Sequence, residues 1–243
     1  MSAWELDAIW LSGQIALLTL LVSTPPAVVL ASVMAKARWH GHWLLNTVVL
    51  LPMALPPAVV GFALLMGLSD DGELGNQIGH LTGWTLSFFP SGAVLAATLV
   101  TVPLMVRVLR PAFEAIDPMM APLAQTLGAS PWSAWWSITL PLATPAVLSA
   151  MALGLAAAWG ETGATLVLSA ALQPNPRVGH PEHSVPLALI QALRSPDNLG
   201  AATRLALVSV GVAVVAVLLS EAGRRHWQGR WTATTQQPRG SRP

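Results

Sequence analysis

The chain has no cysteine, a single lysine and few charges of either sign. Without cysteine there is no disulfide, no thiolate metal site and no cysteine nucleophile. The lysine, Lys36, lies between Ala35 and Ala37, so the Gly-Lys-Ser/Thr end of a P-loop is missing. This chain cannot be its own P-loop ATPase, and any ATP-driven process needs its ATP chemistry from another polypeptide. Only 9% of the 243 residues are charged, against roughly 25% in soluble proteins. With 53% hydrophobic residues and a mean hydropathy of +0.59, the composition is that of an integral membrane protein. The opening Met-Ser-Ala-Trp-Glu-Leu-Asp lacks the basic stretch of a cleaved signal peptide, so the first apolar run is expected to remain as a span. No Ser/His/Asp grouping has the spacing of a nucleophile motif. His40 and His42 flank Gly41 and read as interfacial polar residues, since metal sites usually recruit three or four ligands. His180 and His183 read as residues of a solvated loop, with contact to a partner as the alternative.

Five runs are long and apolar enough to cross a hydrocarbon core of about 30 Å, which takes about 20 helical residues. They cover residues 8–35 (with Pro25 and Pro26), 43–68 (with Pro52, Pro56 and Pro57), 91–109 (with Pro103), 142–170 and 201–220. The expectation is a single all-α transmembrane domain over residues 1–243, with no internal repeat and a polar, disordered tail over 224–243. The loop 117–141 sets the orientation. With it inside, Lys36, Arg38, Arg107, Arg110, Arg224, Arg225, Arg230, Arg239 and Arg242 are inside, and Arg177, Arg194 and Arg204 outside. That asymmetry obeys the positive-inside rule and places the N-terminus outside and the C-terminus inside. Arg107 and Arg110 then end the third span at the inner surface, and Trp132, Trp135 and Trp136 fall at the inner interface, where indole rings prefer to lie.

The loop is not composed like a linker. Met119, Met120, Leu123, Ala124 and Leu127 fall at helical spacing and form a short apolar stripe. Gly128 follows where a helix C-cap favours glycine, and Ser130-Pro131 reads as an N-cap followed by proline at the first helical position. A helix, a glycine break and a second helix suit either a docking element or an amphipathic helix on the membrane surface. Two spans also carry unusual chemistry. In Leu51–Leu65, three prolines in six residues break the backbone ladder, which a membrane permits only against protein or a water-filled cavity. In Trp159–Thr165, Glu161 is the one acidic residue deep in a span, and such carboxylates usually face the bundle interior or water. Gly160, Gly163 and Ala164 allow close helix contact on the same stretch.

Three motifs, in order, carry a resemblance. They are L-P-P-x-V-V-G from Leu55 to Gly61, the G-x9-I-x-L-P tail from Gly128 to Pro141, and G-E-x-G-A-T from Gly160 to Thr165. Together they resemble the permease subunits of bacterial ABC importers, molybdate type, close to those for sulfate, thiosulfate or tungstate. The resemblance covers the chain from the first span to Glu221. It departs where Ala121, Pro122 and Leu123 stand in place of the family's usual Glu, polar residue and Ala. It implies a cytoplasmic coupling helix in which Met119, Leu123, Ala124, Leu127, Gly128 and Ala129 contact an ATPase, beginning near Pro122 and shorter than the family norm. It implies a translocation pathway near Pro56, Pro57, Glu161, Thr162, Gly163 and Thr165. A carboxylate repels a passing oxyanion strongly at low dielectric, so Glu161 reads as a buried hydrogen-bonding group or part of a gate. Thr162 and Thr165 are the better groups to face the anion, because hydroxyls donate without fixed charge.

The expected function is the channel-forming, non-enzymatic subunit of an ATP-driven importer in the bacterial inner membrane. The expected partners are cytoplasmic ABC ATPase subunits that use ATP and Mg, a periplasmic oxyanion-binding protein, a second copy of the chain and membrane lipid. No cofactor is expected on the chain itself, and no nucleic acid among its partners. A membrane-embedded enzyme would need a nucleophile or metal constellation within the spans, and Glu161 alone is too little. A passive channel would not need the glycine-punctuated loop.

Overall fold

The computed structural model describes residues 1–36, 41–68, 76–77, 80, 91–164, 167, 184–194 and 198–235. Within them the chain forms α1 (Ala3–Lys36), α2 (His42–Ala54), α3 (Pro57–Leu68), α4 (Ser91–Glu114), α5 (Met120–Thr126) and α6 (Pro131–Ala134). A π turn over Trp135–Thr139 leads into α7 (Leu140–Trp159), followed by α8 (Val185–Leu193) and α9 (Leu199–Thr235). Among the described residues four helices are long and apolar enough to cross a membrane, or five if α2 and α3, bent by 104° at their junction, count as one broken span.

Small residues set the packing. α1 lies most extensively on α4, and the two run parallel: Leu11 and Ile15 cluster with Ala93, Ala16 with Ala97, and the Ser23 hydroxyl lies 3.5 Å from the Met105 sulfur. Ala16, Ala27, Ala31, Ala96 and Ala97 are buried along this seam. Water provides no driving force between helices in lipid, so close backbone approach and dispersion take its place. α7 packs across α4 and runs antiparallel to α9. The Ser149 hydroxyl donates to the Ser220 carbonyl at 2.7 Å and lies 2.8 Å from the Ser220 hydroxyl. One turn on, a Cβ at Gly223 would stand 3.1 Å from the Pro145 carbonyl oxygen. At the opposite end of the bundle, the wholly covered Glu5 accepts from Arg204 Nε and a terminal guanidinium nitrogen, tying α1 to the start of α9. The Ser12 hydroxyl accepts from Val185 N–H at 2.7 Å, fastening α8 to α1.

The first and third spans extend about one turn beyond the sequence-based expectation, to Ala3 and Glu114, and two boundaries differ by more. Helix runs to Thr235 where a disordered tail was expected from Arg224. Glu221 ties this stretch, accepting from Arg224 and Arg225 at 2.8–2.9 Å, the i,i+3 and i,i+4 pairing that supports a helix. The run expected over 142–170 is helical from Leu140 to Trp159 and then breaks: Gly160 forms the C-cap, and Glu161 and Thr162 are outside any helix.

Candidate functional site

The loop after α4 folds as two capped helices. Asp117 opens it, its carboxylate accepting from Met119 N–H at 2.9 Å and its carbonyl from Met120 N–H at 3.1 Å. α5 starts at Met120, two residues before Pro122. Proline fits there because the N–H groups of a first helical turn have no intrahelical partner. At the other end Gly128 N–H donates to the Gln125 carbonyl and Ala129 N–H to the Ala124 carbonyl, each at 3.0 Å. Gly128 has φ +94°, and no other described residue has positive φ. This is the Schellman arrangement, which needs a left-handed residue just past the helix. Ser130 then caps α6, its hydroxyl accepting from Ser133 N–H at 3.1 Å with Pro131 following.

These caps leave an apolar face without cover. Met119, Met120 and Leu123 are 59%, 42% and 55% exposed, and Leu127 89%. Beside it Trp132, Trp135 and Trp136 form one cluster, with ring centroids 5.2–5.7 Å apart, one pair stacked and two edge-on. The π turn beneath them carries the chain into α7; Leu140 N–H reaches back to the Trp135 carbonyl, and Pro141 next to it has no N–H to offer.

The second part of the site is made where two helix breaks meet. α2 ends on Leu55, whose N–H reaches the Leu51 carbonyl at 3.1 Å, and the Pro56 carbonyl accepts from Val59 N–H at 2.8 Å to start α3. The 104° elbow between them lies directly against the break that ends α7. A Cβ at Gly163 would fall 2.6 Å from the Pro57 Cβ, and one at Gly61 would fall 2.8 Å from both Cα and O of Ala164. Neither position has room for any other residue unless backbone moves. Val60, Leu64, Ala96 and Ala164 pack around the contact, while Pro56, Pro57 and Val59 remain largely exposed.

Of the pathway candidates, Pro56, Pro57, Glu161, Thr162 and Gly163 are thus brought to one place, and Thr165 lies outside the described residues. The Glu161 carboxylate, half-buried, accepts from Ala164 N–H at 2.8 Å in the manner of an N-cap. The Thr162 hydroxyl donates to the Gly160 carbonyl at 3.0 Å, so in this conformation its proton serves the break itself. Gly61 belongs to the site although it was not singled out above, and it is Gly61 that makes the close contact expected of Ala164. Both lie inside the quoted motifs, but their role is a contact between segments about 100 positions apart, which spacing does not reveal.

An all-helical bundle with a broken second span and an exposed two-helix loop has the architecture of an importer permease. The family model for the binding-protein-dependent transport system inner membrane component matches residues 27–223, and the chain belongs to that family. It is therefore a multi-pass inner-membrane subunit. Over 217 residues it is 35% identical to the molybdenum transport system permease protein ModB of Haemophilus influenzae and 34% to that of Escherichia coli K12, in each case covering 89% of this chain and 92% of the relative. The fold matches the crystal structure of a bacterial alginate ABC transporter in complex with an alginate pentasaccharide-bound periplasmic protein, with a TM-score of 0.66 at 20% identity, covering 93% of this chain and 80% of that one.

The Glu161 bond gives a direct test. Glu161→Ala removes the acceptor from Ala164 N–H, a loss of about 0.5–2 kcal/mol for a helix cap, and is expected to lower the melting temperature of the detergent-solubilised protein. Glu161→Gln keeps an oxygen in place and is expected to melt within about a degree of the parent, given the several degrees that 1 kcal/mol is worth. Equal melting of all three proteins would show that the carboxylate does not hold the break.

Proposed function

We propose that this chain forms the membrane passage of an ATP-driven molybdate importer. The match to the H. influenzae ModB protein, 35% identity over 89% of the chain, carries this reading; the family match runs through the loop and both breaks. Two copies line a pathway, a periplasmic binding protein delivers the oxyanion from one side, and two ATPase subunits dock on the other. This chain does no chemistry on ATP; the partner ATPases use it with Mg. The exposed stripe of Met119, Leu123 and Leu127 is the apolar surface that an ATPase groove covers, with Ala124, Gly128 and Ala129 closing its end. When the ATPases close on ATP, the loops are drawn together. α7 then carries the displacement to the elbow at Pro56 and Pro57, and the bundle alternates its opening as a rigid body. The anion passes near Thr162, Gly163 and Thr165, with Glu161 holding the break rather than the substrate.

Uptake of labelled molybdate into vesicles containing the chain, the ATPase and the binding protein tests this reading. Uptake should require ATP and all three components, and excess sulfate should compete poorly. Sulfate uptake in preference to molybdate would overturn the substrate, and uptake without ATP the mechanism. In the same vesicles Gly128→Val places a β-branched side chain at φ +94°, where a left-handed residue costs about 1–2 kcal/mol. Insertion should be normal and ATPase co-purification reduced; full transport by this variant would remove the docking role.

The basic-residue asymmetry supports an N-terminus in the periplasm and a C-terminus in the cytoplasm. Because the chain has no cysteine, Gln125→Cys on α5 should react with an impermeant maleimide only after cell lysis. Asn198→Cys, before α9, should react in intact cells. The reverse pattern would invert the topology and remove α5 from the ATPase.

A further inference from the structure

One feature of the bundle takes no part in docking or in the paired breaks. α1, α7 and α9 stand apart around a crevice of about 460 Å³. Gly13 and Leu17 of α1, Leu155 and Trp159 of α7, and Gly211 and Leu219 of α9 line it, and its surface is almost wholly carbon. All of these positions lie in helices long and apolar enough to cross a membrane, which puts the crevice at the depth of the hydrocarbon core. It is a void rather than a packed seam: a Cβ built at Gly211 meets nothing within 4 Å, and one at Gly13 meets only Trp159 at 4.0 Å. Along α9 the lining runs from Val208 to Leu219, a length of about 16 Å at helical rise.

A cation stands over one end. Arg204 lies on the same face of α9 as Val208, Gly211 and Val215, one turn or about 6 Å before Val208. Its side chain is 49% exposed, whereas that of its partner Glu5 is wholly covered. Glu5 takes two of the guanidinium N–H groups, and a guanidinium has five. The surface of this ion pair is therefore its positive half, with donors left over for an anionic oxygen.

We propose that the crevice is a phospholipid site, with one acyl chain lying between α1, α7 and α9 and the lipid phosphate at Arg204. Water has no polar partners in such a cavity. A second helix is too large: at about 10 Å across and 16 Å long it occupies roughly 1,300 Å³, more than the crevice holds. A single acyl chain matches the length, and its head group falls where the arginine is. The site sets a lipid against Trp159, the last helical residue before the α7 break, so the bilayer contacts the moving part of the molecule there.

The test is photolabelling of the assembled transporter in nanodiscs of phosphatidylethanolamine and phosphatidylglycerol. A trace of phosphatidylethanolamine carries a diazirine at mid-chain, and labelled peptides are mapped by mass spectrometry. Label should concentrate on Leu17 and on Val215–Leu219, above the outward-facing Val210 and Val214, which are also 59% and 50% exposed. Gly211→Phe fills the void and should reduce this labelling by at least about tenfold, worth 1.4 kcal/mol, with the assembly unchanged. The double variant Glu5→Gln with Arg204→Gln, which removes both charges, should reduce it severalfold. Label spread evenly around α9, or undiminished by either variant, would overturn the proposal. So would dissociation of the assembly by Gly211→Phe, since the crevice would then be a contact between subunits. Should Gly211→Phe not fold, the unmodified chain's labelling pattern decides alone.

Discussion

A bilayer has no water for backbone groups, so a helix broken inside it must have its loose ends satisfied by protein. This chain breaks two of its spans and sets the breaks against each other. Pro56 and Pro57 turn α2 into α3 through 104°, Gly160 ends α7, and the two irregular stretches touch through Gly61 on Ala164 and Gly163 on Pro57. At these two positions a side chain would collide with backbone or with the proline ring, so glycine here is a requirement of contact. The Glu161 carboxylate and the Thr162 hydroxyl then serve Ala164 N–H and the Gly160 carbonyl, the groups the break sets free.

The exposed loop depends on the same helix. α7 leaves the π turn below the tryptophan cluster and reaches the breaks after 20 residues, about 30 Å of uninterrupted helix. Its two ends therefore join an exposed apolar face to a junction that has none of the regularity of the surrounding bundle. On its sides it is held by α4 and by α9, the latter through the Ser149–Ser220 hydrogen bonds and the close approach of Gly223 to Pro145.

Much of this was legible in the residues. Gly128 and Ser130-Pro131 announce a glycine C-cap and a serine N-cap because backbone chirality and hydrogen-bond need are local. The proline triplet announces a break for the same reason. What local rules do not carry is where the pieces meet. Gly61 looks like an ordinary small residue, and Gly163 shows a close contact without its partner, until the fold sets each against the other segment. The end of α7 at Trp159 was missed because apolar residues resume at Ala164 after only four others, so the stretch reads as one run, and hydropathy does not distinguish a helix from a buried turn. The tail after Arg224 reads as disordered from its polarity, yet Glu221 binds two arginines at helical spacing. The Glu5–Arg204 pair joins positions 199 residues apart and leaves no sequence signal beyond two charges near apolar runs.

If the elbow and the end of α7 move as one body, their separation must survive the transport cycle. Spin labels at Phe62→Cys on α3 and Leu148→Cys on α7, both exposed positions in a chain without cysteine, report it directly, with one doubly labelled chain per assembly. Pulsed electron resonance should give the same Phe62–Leu148 distance without nucleotide and with ATP trapped in the ATPases, while the distance between Phe62 labels on two copies changes. An intrachain distance that shifts as far as the distance between copies would mean that the elbow slides on α7, and would contradict the paired breaks as the moving unit.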